Sequence, residues 1–180
     1  MGVSGCGKTT LGIRLAAVLG WRFIDAEDFH TPESLLDIET GTGAGTGTDD
    51  PLVDGDARAW TAALREKVAQ ALGRGEDTVL ACSALKRGLR RILTVDASAV
   101  RFVYLKGSAS LIRQRLRARS GHFLSAGVLA SQFASLEEPD NAVTIDIDER
   151  PGRIVEQIRE ALAIAQGAWE GPLRDPRGVA

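Results

Sequence analysis

The chain has 180 residues, 44% of them apolar and 26% charged, with a formal net charge of −2, the size and composition of one globular domain with a proper core. That balance leaves no basic excess of the kind nucleic-acid or anionic-membrane binding draws on. No apolar run approaches the length of a membrane span, and the start has neither the charged nor the apolar region of a secretory signal. The two cysteines, Cys6 and Cys82, give neither a disulfide framework nor a metal spacing, so a reduced cytoplasmic setting is expected, without nucleic-acid or membrane partners.

The chain opens MGVSGCGKTT. Gly2, four residues and then Gly7-Lys8-Thr9 satisfy the phosphate-loop pattern G-x-x-x-x-G-K-[ST]. Backbone N–H groups running through Gly2, Val3, Ser4, Gly5, Cys6 and Gly7 into a helix N-terminus at Lys8, Thr9 and Thr10 make a concave anion site. In such a loop the Lys8 amine reaches the β/γ-phosphates and the Thr9 hydroxyl faces Mg²⁺. The pattern says nucleotide, not reaction. It normally sits between a strand and a helix, and only Met1 precedes it here.

Residues 8–19 read as a helix with Leu11, Leu15, Val18 and Leu19 on one face. A short strand at 21–24 runs into the acidic stretch DAEDFH, in the crevice where α/β sheets bind ligands. A carboxylate there can orient or deprotonate an attacking hydroxyl, or hold Mg²⁺ through water; the alternative is a solvated acidic turn that caps the next helix. The segment 41–50, GTGAGTGTDD, is expected to be a flexible insertion. Asp56 can cap a helix carrying Trp60, Leu64, Val68 and Leu72.

The segments 78–82, 100–105 and 142–147 are short and mostly apolar, as strands covered on both faces tend to be. Helical patterns come after the first two, at 84–94 and 109–119. In the first of these, Lys86 and Arg90 stand at i, i+4, suited to an anionic substrate or simply to a solvated basic face. The second carries four arginines in seven residues, with Arg115 and Arg119 on one helix face ahead of Ser-Gly and His122. Arginines on a closing lid can neutralise a phosphoryl group in transfer; a surface helix of ordinary ion pairs is the alternative. Pro151 opens a last helix with core face Ile154, Ile158, Ala161 and Leu162. The acids of VTIDIDE (143–149) read as the end of a sheet strand, not a motor ATPase metal site. Alternating strands and helices make the chain α/β with a parallel sheet, one domain over 1–168 and a frayed tail over 169–180.

Taken together, MGVSGCGKTT, DAEDFHTP, CSALKRGLR, the GHF and SQF stretches within 115–139, and VTIDID resemble the bacterial-type gluconokinases. The resemblance implies a P-loop nucleoside-triphosphate-hydrolase-type three-layer αβα fold, a doubly wound parallel sheet with a helical lid at about 115–136. The implied reaction transfers the ATP γ-phosphoryl to D-gluconate with Mg²⁺, and a homodimer is suggested. Carried over by position, Gly5, Gly7, Lys8 and Thr9 hold nucleotide and Mg²⁺, with Asp25 a second candidate for the metal. Asp25 is the implied base or hydroxyl-orienting group. His30, Lys86, Arg90 and His122 are implied on the substrate side, and Arg115 and Arg119 as lid cations.

Three departures stand out. The family carries an apolar central strand just before its Met-Gly-Val-Ser-Gly, and this chain starts at that Met, so a later-than-true start and a weakened sheet are expected. Asp37 stands where the family has lysine, and Ala57 where it has arginine, with Arg58 one place on. Both changes fall on the acceptor side and bear on substrate identity more than on ATP use.

Overall fold

The computed structural model describes residues 1–30, 55–118 and 126–163. Helix α1 (Lys8–Leu19) ends on Gly20, whose φ of 69° lies in the left-handed region that stops helices at glycine. Strand β1 (Arg22–Asp25) comes next and runs into a 3-10 turn, Ala26–Phe29. Then come α2 (Gly55–Gly73), β2 (Thr78–Ala81), α3 (Arg87–Leu93), β3 (Val103–Lys106), α4 (Ala109–Ala118), α5 (Ala126–Ser135), β4 (Val143–Asp146) and α6 (Pro151–Ala161). The 41–50 insertion, the tail and most of the acceptor-side departures fall outside the described residues.

Both strand pairs are parallel. β1 pairs with β2, matching Asp25 to Ala81, and β3 pairs with β4, matching Lys106 to Asp146. Among the described residues these are two two-stranded sheets rather than one continuous sheet. Met1 and Gly2 lie between them. The Met1 nitrogen donates to the Val103 carbonyl, and the Met1 carbonyl accepts from Leu105 N–H at 2.9 Å. Gly2 N–H donates to the Ser83 carbonyl, just past β2, at 3.1 Å. A ladder needs repeated bonds along both strands, and this bridge supplies one residue's worth on each side.

Side chains alternate across the strands and feed two cores. Val79 packs with Leu11, Leu15, Leu19, Ile112, Ile145, Ile154 and Ile158, the face covered by α1, α4 and α6. Leu80, the next residue, packs with Leu64, Leu89 and Leu93, the face covered by α2 and α3. Strands apolar on both sides demand helices on both sides, which gives the three-layer αβα arrangement. Several details differ from the sequence reading: α2 begins at Gly55, so Asp56 lies within it rather than capping it, and β3 occupies Val103–Lys106 rather than 100–105. The buried face of α6 is Ile154, Val155 and Ile158, while Ala161 is exposed. Helix α3 begins at Arg87 rather than 84, because Lys86 is its extended N-cap residue and Ala84 sits at φ 45°.

Candidate active site

The phosphate loop is held from four directions. Helix α4 presses on it so closely that a Cβ on Gly5 (φ 84°) would stand 2.8 Å from Leu116 Cγ and 3.1 Å from Ile112 Cγ2; only glycine fits. From within, Val3 and Cys6 are buried in the core, so their contribution to any ligand is backbone alone. Gly2 is fastened to Ser83. Ser4, finally, is held by Gln132 of α5: its N–H donates to Oε1 at 2.7 Å and its Oγ accepts from Nε2 at 3.0 Å.

Within this frame the loop is set up for an anion. Among the described residues, no backbone acceptor takes the N–H groups of Gly5, Gly7, Lys8, Thr9 or Thr10. They stand at the positive end of α1. Lys8 Nζ folds back to the Val3 carbonyl at 3.3 Å, a weak tether that an incoming phosphate can displace. Thr10 itself is exposed.

Asp25, at the C-terminal end of β1, is 4% exposed. Its Oδ2 accepts from Thr9 Oγ1 at 2.8 Å, and its Oδ1 accepts from Glu27 N–H at 3.1 Å, capping the 3-10 turn. The structure thus joins the loop's threonine to the strand-end carboxylate, two residues singled out from different stretches of sequence. Both oxygens of Asp25 are engaged. Glu27 and Asp28, one and two places further round the turn than Ala26, are exposed. Among the described residues no group of three or more His, Cys, Asp or Glu gathers to form a protein-only metal cage. A hydroxyl beside a carboxylate suits the Mg²⁺ mode in which phosphates and water complete the shell.

On the acceptor side, the His30 ring stacks on Trp60 with centroids 4.7 Å apart and an interplanar angle of 19°. Trp60 Nε1 donates to the Ala26 carbonyl at 3.1 Å, which ties α2 to the acidic turn. Burial holds the His30 pKa below its usual 6.5. Arg90 is 5% exposed, and its Nη1 donates to the carbonyls of Ala84 (3.0 Å) and Leu85 (2.9 Å). Desolvation lowers its pKa, opposed by Glu137. So Lys86 and Arg90 do not share an exposed helix face. Arg90 is folded inward and shapes the 82–86 turn, while Lys86 stays partly exposed at its end, 4.0 Å from Glu137 Oε1. That same Glu137 accepts from Arg87 N–H at 2.6 Å.

Arg115, on α4, donates through Nη2 to the Ile147 carbonyl at 2.5 Å, just past β4. It therefore braces the loop-packing helix against the last strand. Arg119 and His122 lie outside the described residues. Asp146 and Asp148 are exposed, with Asp146 Oδ1 capping Asp148 N–H at 2.8 Å, a strand-end turn.

Sequence reasoning assigned no role to Gln132, and placed Trp60 on a helix face and as the tryptophan of the family's P-L-x-D-x-D-R-x-x-W pattern without giving it a site role. The signal for Gln132 was partial: an amide within the mostly apolar or small AGVLASQFAS of α5 needs polar partners once it is buried, as it is here. For Trp60 the match to that pattern marked the position but not its partner, since the indole bond depends on where α2 meets the turn.

The AAA domain family matches residues 1–139. The thermosensitive gluconokinase of Escherichia coli (strain K12) is 36% identical over 185 residues, covering 98% of this chain and 95% of the relative. Among solved structures, a sugar kinase from Janibacter sp. HTCC2649 superimposes with a TM-score of 0.78 at 37% identity, covering 92% of each chain. A gluconokinase from Sinorhizobium meliloti 1021 gives 0.75 at 34% identity, covering 91% of this chain and 89% of that one. With the loop, the strand-end acid and the αβα layers already in place, identity of this extent settles the family: the chain belongs to the gluconokinases, within the P-loop AAA domain group.

Proposed function

We propose that the protein transfers the γ-phosphoryl of ATP to the terminal hydroxyl of D-gluconate, giving 6-phospho-D-gluconate. The observation that carries this is the 2.8 Å contact between Thr9 Oγ1 and Asp25 Oδ2, which brings the nucleotide loop and the acceptor-side acidic turn to one point. The names of the relatives supply the acceptor.

Positioning and charge neutralisation dominate phosphoryl transfer. The loop amides and Lys8 hold the triphosphate, with Thr9 and Asp25 on the metal side. Mg²⁺ there would offset phosphate charge. Asp25, buried beside Thr9, orients the acceptor's hydroxyl or takes its proton, and the exposed Glu27 carboxylate on the same turn is the second group able to take it. His30 and Lys86 face the sugar acid, the lysine matching its carboxylate, while Arg90 fixes the turn that presents Lys86. Arg119 and His122 belong to the lid in this reading, while Arg115, bonded to the Ile147 carbonyl, holds the helix that leads into it. It also includes a single kinase domain over 1–168, a homodimer and a cytoplasmic setting.

Coupled ADP release over a panel of sugar acids, polyols and shikimate tests it. Turnover is expected with gluconate and lost with the uncharged parent sugar. Turnover with another acceptor alone would overturn the assignment.

A further inference from the structure

Gln132 and Ser4 are 128 positions apart and joined twice, by Ser4 N–H to Oε1 at 2.7 Å and by Nε2 to Ser4 Oγ at 3.0 Å. A backbone N–H can only donate, so the amide oxygen must face it and the amide nitrogen must face Oγ. The orientation of the amide is fixed by chemistry. Because Nε2 donates into Oγ, the proton of the Ser4 hydroxyl cannot point at Gln132. It is directed elsewhere, from a residue lying between two loop glycines.

We propose that Gln132 is a positioning residue for the nucleotide: it fixes Ser4 so that the serine hydroxyl is presented as a hydrogen-bond donor to the phosphate chain. This rests on the ATP-dependent reading above. Gln132 is 5% exposed on a helix whose buried neighbours Val128 and Leu129 are apolar. Packing alone would be served as well by an apolar residue of equal volume, which would need no partners. The amide also takes up Ser4 N–H, leaving the Gly5, Gly7 and first-turn amides as the anion donors.

Two substitutions separate this role from packing. Gln132→Met keeps volume and removes both bonds. Gln132→Glu keeps volume and both contacts, but the carboxylate has no proton to give, so the Ser4 hydroxyl must turn and donate to it. The probe is Mg·AMP-PNP, its Kd measured by calorimetry. Hydrogen bonds to charged groups are worth enough that both variants should weaken binding about tenfold or more, Gln132→Glu at least as much as Gln132→Met. Ser4→Ala should weaken the wild type but add nothing to Gln132→Glu. The acceptor KM should stay within about threefold.

Nucleotide binding by Gln132→Glu within about twofold of wild type overturns the proposal. So does a parallel loss of nucleotide and acceptor affinity accompanied by a fall in melting temperature. If Gln132→Met does not fold, Gln132→Glu carries the test alone. Binding is read directly, so the result stands even where gluconate proves not to be the acceptor.

Discussion

At the scale of single residues, the division of labour between Asp25 and Glu27 is the sharpest issue. Asp25 is 4% exposed and accepts from both Thr9 and Glu27 N–H, which fixes the direction in which its carboxylate faces. Glu27 is exposed. Glu27→Gln should lower kcat about a hundredfold with Mg·ATP affinity unchanged, the usual scale for losing an acid–base group. Asp25→Asn should instead raise the Mg²⁺ concentration needed for half-maximal rate. Steady-state kinetics across a Mg²⁺ titration distinguishes them; a Glu27→Gln enzyme with full kcat would return the proton to Asp25. His30 gives a second check. Its folded pKa is pushed below the usual 6.5 by burial, so the unfolded chain binds the proton more readily. Stability is whole above pH ~6.5 and falls as pH drops from there through the lower folded value. His30→Phe keeps a ring against Trp60 and should remove this part of the decline in melting temperature between pH ~7.5 and ~5.5.

At the scale of elements, the loop's shape depends on α4. Gly5 at φ 84° has Leu116 and Ile112 where a Cβ would go. Gly5→Ala should cost about 1–3 kcal/mol in backbone strain alone, with the contact added to it. Gly5→Ala with Leu116→Ala relieves the contact but not the strain, so it should recover only part of the nucleotide affinity, read as Kd for Mg·ADP. Full recovery would mean that φ is no constraint here. The elements themselves were mostly legible. The run 8–19 matched α1 to the residue, because a glycine stands at each end and its apolar spacing is helical. The start of α3 was not legible. Cys82 to Leu85 are apolar or small and fit a helix as readily as a loop; what decides is Arg90, whose guanidinium takes the Ala84 and Leu85 carbonyls from any helical ladder. The i, i+4 spacing of Lys86 and Arg90 was therefore real in sequence and absent as a shared surface. Gln132 shows the opposite case, a residue inside the SQF stretch whose partner 128 positions away no local pattern discloses.

At the scale of the whole molecule, the two parallel strand pairs meet through Met1 and Gly2, whose bonds reach β3 on one side and Ser83 on the other. Strand identity was legible from short apolar runs, and the pairing among the described residues divides at the place where a weakened sheet was expected, just ahead of the phosphate loop. The loop at residues 2–10 is fastened to both halves, and to α4 and α5 through Gly5 and Ser4. Nucleotide bound there should consequently stabilise the entire domain. At about 100 times Kd, Mg·ADP adds about 2.7 kcal/mol, which for a chain of this size raises the melting temperature by about 5–10 °C. Lys8→Ala should abolish most of that rise. Hydrogen exchange locates the effect: protection should extend from residues 2–10 to the ends of β2 and β3 and to α5 around Gln132. Protection confined to the loop would mean that its fastenings transmit nothing, and the two halves would then have to be treated as separately stable units.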